Sequence, residues 1–207
     1  MDYRLYIVGA GPGDAAYLTP AASAQISAAA VLVGGGRLLQ PFIRPGVKTK
    51  NVDGDLNSVV EFIQAELAGS DVTVLVSGDP GFYSLLPLLR RHFADRITVI
   101  PGISSIQLAF ARAGLPWQNA LLTSVHGRTE QPEIWGWREG KLIGLLTDGE
   151  HDSAYVAGRL TAAGWPPQTR VWLCSRLSYP DETVETFSLA ELADKRGTGH
   201  CVMIIAG

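Results

Sequence analysis

Cysteine is scarce in this sequence, with only 2 among 207 residues. Cys174 and Cys201 lie far apart, with no CxxC pair and no histidine at a spacing suited to zinc. Disulfide scaffolds and zinc sites need closer, repeated spacings. We therefore expect two ordinary buried thiols, no metal site and a reducing, cytoplasmic location.

The sequence also lacks a basic excess and a long hydrophobic run. Its 17 Lys and Arg against 20 Asp and Glu give a net charge of −3, whereas nucleic-acid-binding domains usually carry a strong basic excess. The apolar stretches are interrupted by Gly, Pro or Asp and fall short of the ~20 residues of a membrane span. The opening residues MDYRLYIVGAG have no signal-peptide layout. We expect neither a nucleic-acid nor a membrane partner.

What the sequence does contain is an alternation of short apolar runs and amphipathic segments. Strands are predicted at residues 4–8, 30–33, 72–76, 97–100, 121–124, 141–147, 169–173 and 201–205. Helices are predicted at 20–29, 55–67, 83–93, 105–113 and 153–163, the first with Thr19 as its N-cap. This order indicates an α/β fold with a mainly parallel sheet.

The segment 115–119, Leu-Pro-Trp-Gln-Asn, is the best candidate linker. It divides the chain into an N-terminal α/β domain at 1–115, which holds the glycine-rich loops, and a C-terminal α/β domain at 116–207. Ligands often bind in clefts between domains, so a ligand cleft is expected between these two. The charged segment 127–140 is predicted to be a surface loop or flap.

The first glycine-rich loop, GAGPGD at 9–14, follows a strand and invites comparison with a dinucleotide-binding loop. That fingerprint needs G-x-G-x-x-G and an acidic residue about 20 positions further on. Asp14 occupies the place of the last glycine, where a carboxylate would repel a pyrophosphate. Residues 15–52 contain no Asp or Glu that could bind a ribose. A nucleotide-cofactor oxidoreductase is therefore disfavoured.

Two further loops lie at the ends of predicted strands, SGDPG at 77–81 and PGISS at 101–105. The carboxyl ends of parallel strands line the ligand crevice of such sheets. Each loop alone could equally be a turn or a helix start. Their occurrence together in one half of the sheet favours a binding function, with adenosine and amino-acid groups as suitable ligands.

Three segments carry a family resemblance: IVGAGPGDAAYLT, VLVSGDPGFYS and VIPGISSIQLAFARAGLPW. In order and spacing they resemble the signature segments of the tetrapyrrole methylase family. The resemblance implies the tetrapyrrole methylase fold, S-adenosyl-L-methionine as the cofactor and a homodimer. The segments TSVHGR at 123–128 and LSYPDET at 177–183 are similar to those of members that methylate C5 of a precorrin-7-type corrin precursor in cobalamin biosynthesis. A separate C15-methyltransferase/decarboxylase is then the expected functional partner.

The same resemblance implies which residues hold the cofactor. In the first domain these are Pro12, Gly78, Asp79, Pro80, Tyr83, Gly102, Ile103, Ser104 and Ser105. In the second domain, Thr147 and Leu177 stand where relatives approach the adenine.

Candidate catalytic residues lie in the loop after the first strand of the second domain. His126 could act as a base or hold the ring, and Arg128 could bind a ring carboxylate, since guanidinium groups bind carboxylates bidentately. Each could instead be an ordinary loop residue. A second basic rim could be formed by Arg37, Arg44, Lys48 and Lys50.

Several alternatives stay open on the sequence. The acidic segment 148–152 resembles a metal cluster in composition, but Asp152 before a helix favours an N-cap. Trp135 and Trp137 could pack on a macrocycle, in a dimer interface or in the core. Rival functions are methylation of another ring carbon, of an RNA ribose or of a modified histidine, or an adenosine-sensing module without catalysis.

Overall fold

A computed structural model describes residues 3–126, 132–195 and 197–207, and strands and helices alternate along them. The strands are β1 (Leu5–Gly9), β2 (Val31–Gly34), β3 (Lys48–Asn51), β4 (Val72–Val76), β5 (Ile97–Ile100), β6 (Leu121–Ser124), β7 (Leu142–Leu146), β8 (Arg170–Ser175), β9 (Thr183–Ser188) and β10 (Cys201–Ala206). The helices are α1 (Pro20–Ala28), α2 (Gly36–Leu39), α3 (Leu56–Glu66), α4 (Leu86–Phe93), α5 (Ser105–Ala113), α6 (Pro132–Trp135), α7 (Ser153–Ala162) and α8 (Leu189–Ala193). Contacts group Met1–Ser104 into one unit and Ser105–Gly207 into another.

The first unit is a parallel sheet of order β3-β2-β4-β1-β5 with helices on both faces. Successive side chains of a strand point to opposite faces. Accordingly, Ile7 packs in a core with α3 and α4, while Val8 packs in a second core with α1 and α2. Thr19 caps α1 as predicted, its hydroxyl accepting the Ala22 N–H at 3.1 Å. The predicted α/β class is confirmed.

The second unit contains a mixed sheet of order β6-β7-β10-β8-β9. β6 pairs with β7 in parallel, and the other pairs are antiparallel. Side chains from α6, α7 and α8 form one core on this sheet. Helix α5 also packs on this sheet. The ring of Phe110 in α5 lies so close to Gly144 of β7 that a Cβ on Gly144 would be 2.7 Å from it. The unit boundary therefore falls before α5, earlier than the boundary at residue 115 inferred from the linker.

The start of α4 and the segment predicted as a flap differ from the sequence expectation. Helix α4 begins at Leu86 rather than at residue 83, because the Ser84 hydroxyl accepts the Leu86 N–H at 3.0 Å and the chain before it is a loop. The segment predicted as a flap contains α6, in which Ile134 and Trp135 are buried. Trp135 therefore belongs to the core, whereas Trp137 is 45% exposed.

Within the described residues, no helix is both long and apolar enough to cross a membrane.

Two of the four cations in the predicted second basic rim have structural partners. The Arg44 guanidinium donates to the carbonyls of Ile26, Ser27 and Ala29 at 2.8–3.1 Å and so satisfies the end of α1. Lys48 forms an ion pair with Glu66 at the end of α3. These two cations therefore serve the first unit itself.

Candidate functional site

Three loops meet at the carboxyl edge of the first sheet. Because β4, β1 and β5 are adjacent and parallel, the loops that follow them leave the same edge. The Gly78 N–H donates to the Gly11 carbonyl at 2.8 Å, and the Gly11 N–H donates to the Gly78 carbonyl at 3.3 Å. The cofactor residues predicted at 12, 78–80, 83 and 102–104 are thus brought to one edge, and Ser105 opens α5.

Glycine is required where these loops cross. A Cβ on Gly9 would lie 2.6 Å from both the Gly78 carbonyl oxygen and the Gly102 nitrogen. A Cβ on Gly102 would collide with the same Gly78 oxygen and lie 2.8 Å from the Gly9 carbonyl carbon. Close-packed backbone leaves no room for a side chain at such distances. The glycines predicted a close approach of the backbone to another group. In the structure that group is the backbone of the neighbouring loops.

Asp79 joins two of these loops through its carboxylate. Its Oδ1 accepts the Gly81 N–H at 2.7 Å, and its Oδ2 accepts the Gly102 N–H at 3.1 Å. Carboxylate acceptors make stronger hydrogen bonds to backbone amides than neutral groups do. Asp79 thus sets the relative position of the SGDPG and PGISS loops.

Tyr83 ends the second loop in a left-handed conformation, with φ of +49°. Such a φ is unusual for a bulky residue, and backbone strain of this kind clusters at ligand sites. The Tyr83 ring meets the Phe82 ring edge to face, with centroids 4.7 Å apart. Pro80, between this pair and Asp79, is buried.

The charge of these loops limits what they can bind. Segments 9–14, 77–84 and 101–107 contain two Asp residues and no Lys or Arg. Pro12 and Ile103 are half-buried, and Ser104 is 8% exposed. An edge with this composition suits a neutral or cationic ligand with hydrogen-bonding groups, and it disfavours a phosphate.

The corresponding edge of the second sheet collects the ends of β6, β7 and β8 and the start of β10. Register shows this directly, since Leu146 pairs with both Ser124 and Val202, and Val202 pairs with Cys174. The residues that leave this edge include His126, Thr147 and Leu177, the predicted residues of this half. Arg128 lies outside the described residues.

His126 lies near the buried carboxylate of Asp148, which the sequence marked only as part of the acidic segment 148–152. The His126 Nδ1 is 3.9 Å from Asp148 Oδ2, and these side chains are 61% and 11% exposed. Asp148 Oδ1 accepts the N–H groups of Glu150 and His151 at 2.9 and 2.6 Å. The His151 Nδ1 lies 3.4 Å from Oδ2, and the His200 ring lies 6.0 Å from the His126 ring. Two histidines thus lie within 4 Å of this carboxylate, and the third lies beside His126.

Thr147 and Leu177 are both buried. The Thr147 hydroxyl donates to the Cys201 carbonyl at 3.1 Å and accepts the Cys201 N–H at 3.0 Å, so it fastens β7 to β10. Leu177 lies between two left-handed residues, Arg176 and Ser178, with φ of +50° and +74°. Their predicted contacts with the adenine stay predictions.

The acidic segment after β7 has two separate functions. Asp152 caps α7 as predicted, with its side chain accepting the Tyr155 N–H at 2.9 Å. Asp148, at the other end of the segment, faces the histidines. Among the described residues, no group of His, Cys, Asp or Glu has the arrangement of a metal site. One signal in the sequence could have identified Asp148. It follows the predicted strand 141–147 closely, as His126 follows the predicted strand 121–124, and these two strands are neighbours in the sheet.

Comparison with known proteins supplies a family match and close relatives. Residues 4–193 match the model of the tetrapyrrole (corrin/porphyrin) methylases. A probable cobalt-precorrin-7 C(5)-methyltransferase of Methanocaldococcus jannaschii is 32% identical over 202 residues, which cover 92% of each chain. A precorrin-6Y C(5,15)-methyltransferase (decarboxylating) of Sinorhizobium sp is 38% identical over 187 residues, which cover 88% of this chain and 44% of that longer protein.

A solved structure shares the fold. The uroporphyrin-III C-methyl transferase of Thermus thermophilus, complexed with S-adenyl homocysteine, superposes with a TM-score of 0.77 at 23% identity. The match covers 98% of this chain and 91% of that one.

Proposed function

We propose that this chain, which belongs to the tetrapyrrole (corrin/porphyrin) methylase family, transfers the methyl group of S-adenosylmethionine to C5 of a precorrin-7-type corrin precursor. The family predicted from the three loop segments is confirmed by the match of residues 4–193 to the family model. The observation that carries the finer proposal is the 32% identity over 92% of both chains to the cobalt-precorrin-7 C(5)-methyltransferase. The second relative also carries C5 in its name.

The loops of the first sheet fit this cofactor in their chemistry. S-adenosylmethionine carries a sulfonium and an ammonium group but no phosphate, and the three loops hold two Asp and no Lys or Arg. Pro12, Asp79, Tyr83 and the segment 102–105 are proposed to bind it, with Gly78 and Pro80 shaping the second loop. Thr147 and Leu177 are proposed to contact the adenine.

The bound cofactor supplies an electrophilic methyl group on sulfur. The chain's own task is to hold the ring so that C5 lies on the axis opposite that sulfur, and such orientation can lower the barrier by roughly 7–11 kcal/mol. The loops that Asp79 and the glycine crossings tie together are proposed to hold the cofactor in one orientation relative to that ring. Arg128 is proposed to bind a peripheral ring carboxylate.

Methylation of a neutral ring by a sulfonium leaves one positive charge on the product, so a proton must leave. His126, at the end of β6 and 61% exposed, is proposed to accept it. An imidazole is suited to this transfer because its ordinary pKa lies near neutral pH.

Assembly and location are part of the same proposal. The chain is proposed to act in the cytoplasm as a homodimer, with the exposed Trp117 and Trp137 as candidate interface residues. Because the Sinorhizobium relative is more than twice the length matched by this chain, a separate C15-methyltransferase/decarboxylase is the proposed functional partner.

The experiment is incubation of the protein with labelled S-adenosylmethionine and late corrin precursors, with and without cobalt, followed by NMR location of the new methyl group. A methyl at C5 supports the proposal. A methyl at another ring carbon would leave the family standing and remove the C5 assignment.

A further inference from the structure

The carboxylate of Asp148 is held in a fixed orientation at the end of β7. The backbone N–H groups of Glu150 and His151 both donate to Oδ1, and Oδ2 lies 3.4 Å from the His151 Nδ1 and 3.9 Å from the His126 Nδ1. The strand end itself is fixed by the hydrogen bonds between Thr147 and Cys201. Asp148 is therefore a preset acceptor, in the way that supporting residues of active sites are.

Of the two histidines nearest this oxygen, His126 is the accessible one. The His151 side chain is 26% exposed, and its ring packs edge to face on Tyr155 with centroids 4.8 Å apart. The His126 side chain is 61% exposed, and its backbone is held by an N–H bond to the Ser124 hydroxyl at 3.1 Å. His126 can therefore meet a bound molecule while its Nδ1 faces Asp148.

We propose that Asp148 is a positioning residue for methyl transfer, whose carboxylate accepts the Nδ1–H of His126 and so presents the unprotonated Nε2 to the substrate. This inference rests on the proposed function. In the transfer, the bond from sulfur to methyl breaks, C5 forms the new bond with an electron pair of the conjugated ring, and the proton that the product must lose goes to Nε2 and then to water. The 3.9 Å between Nδ1 and Oδ2 closes by a small ring rotation, as hydrogen bonds in ligand-free sites commonly do.

The backbone at His200, whose ring lies beside that of His126, is strained. His200 has φ of +52°, and it follows Gly199, where a Cβ would lie 2.8 Å from the Asp148 carbonyl oxygen. Thr198 anchors the segment to the start of α7, its N–H donating to the Ser153 hydroxyl at 2.8 Å. Strain of this kind persists where surrounding contacts impose it, and it is concentrated at functional sites.

The kinetic test compares Asp148→Asn with the matched control Asp152→Asn, the same change at the carboxylate that caps α7. Asparagine keeps an oxygen for the two backbone bonds but presents an NH₂ group to His126, which favours the tautomer with the proton on Nε2. We expect Asp148→Asn to lower kcat about 100-fold with KM nearly unchanged, and Asp152→Asn, which keeps an oxygen for the helix cap, to keep wild-type kcat. A fall in both variants, or a change in KM alone, would overturn the assignment.

The spectroscopic test needs no substrate. Proton–nitrogen NMR of the histidine rings at about pH 8.5, where an ordinary imidazole is neutral, reports which nitrogen of His126 carries the proton. We expect Nδ1–H in the wild-type protein and Nε2–H in Asp148→Asn. Nε2–H in the wild type would refute the positioning role even if the C5 activity is present. The expected tautomer with no C5 methylation would instead count against the proposed function.

Discussion

The Asp79 carboxylate accepts the Gly102 N–H at 3.1 Å and the Gly81 N–H at 2.7 Å, and so ties the loop after β4 to the loop after β5. Asp79→Ala removes both bonds. We expect the dissociation constant for S-adenosylmethionine to rise about 5- to 150-fold, equivalent to about 1–3 kcal/mol, because the loops lose their common anchor. Titration calorimetry measures it.

The matched control is Asp55→Ala. Asp55 accepts two backbone N–H groups at the start of α3, at 3.1 and 3.2 Å, but belongs to none of the three loops. Its loss should cost about 1 kcal/mol of folding free energy and leave cofactor affinity unchanged. If both variants bind the cofactor equally well, Asp79 serves the fold alone.

A second prediction concerns Gly102. The Cβ of Gly102→Ala would collide with the Gly78 carbonyl oxygen, so the three loops must move apart. We expect a loss of about 1–3 kcal/mol or more in the free energy of unfolding, measured by denaturant titration, together with weakened cofactor binding. Gly69→Ala is the control, since a Cβ there meets nothing within 4 Å, and its unfolding free energy should stay within about 0.5 kcal/mol. Equal unfolding free energies of the two variants would show that the loops around Gly102 can accommodate a methyl group.

The third prediction concerns the two cysteines. Burial raises the pKa of Cys174 to about 12 and that of Cys201 to about 11, from an ordinary value of 9.0. Since the thiolate is the reactive form, both thiols should resist labelling at about pH 8 until the protein is unfolded. The unfolded chain loses these protons first, so the free energy of unfolding should fall as the pH rises above 9.0 toward those values. Rapid labelling of the native protein would contradict this.

The fourth prediction separates His126 from Arg128. Arg128→Ala should mainly raise KM, because a peripheral carboxylate contact is similar in the ground and transition states. His126→Ala should mainly lower kcat, by about 10²–10⁴-fold, as loss of a general base does. Steady-state kinetics with the corrin precursor measure both. Wild-type kinetics in both variants would show that this loop takes no part in the reaction.

The apolar runs of the sequence predicted the bounds of several strands correctly. Strands β4, β5 and β6 begin and end at the predicted residues, because each is a short, mainly apolar run bounded by polar residues or turn residues. Strands β3 and β9 were missed. Each lies at one edge of its sheet and consists largely of exposed polar residues, so no hydrophobic pattern marks it.

The sequence by itself determined the α/β class, the glycine-rich loops at strand ends and the family, since these depend on local patterns and on motif order. Only the tertiary structure decided which polar side chains meet. His126, Asp148 and His200 come from three separate segments, and they are gathered because β6, β7 and β10 pair in one register. In the same way, Arg44 caps the end of α1 rather than joining a basic rim. Such contacts arise from long-range strand pairing and packing, which a local pattern does not encode.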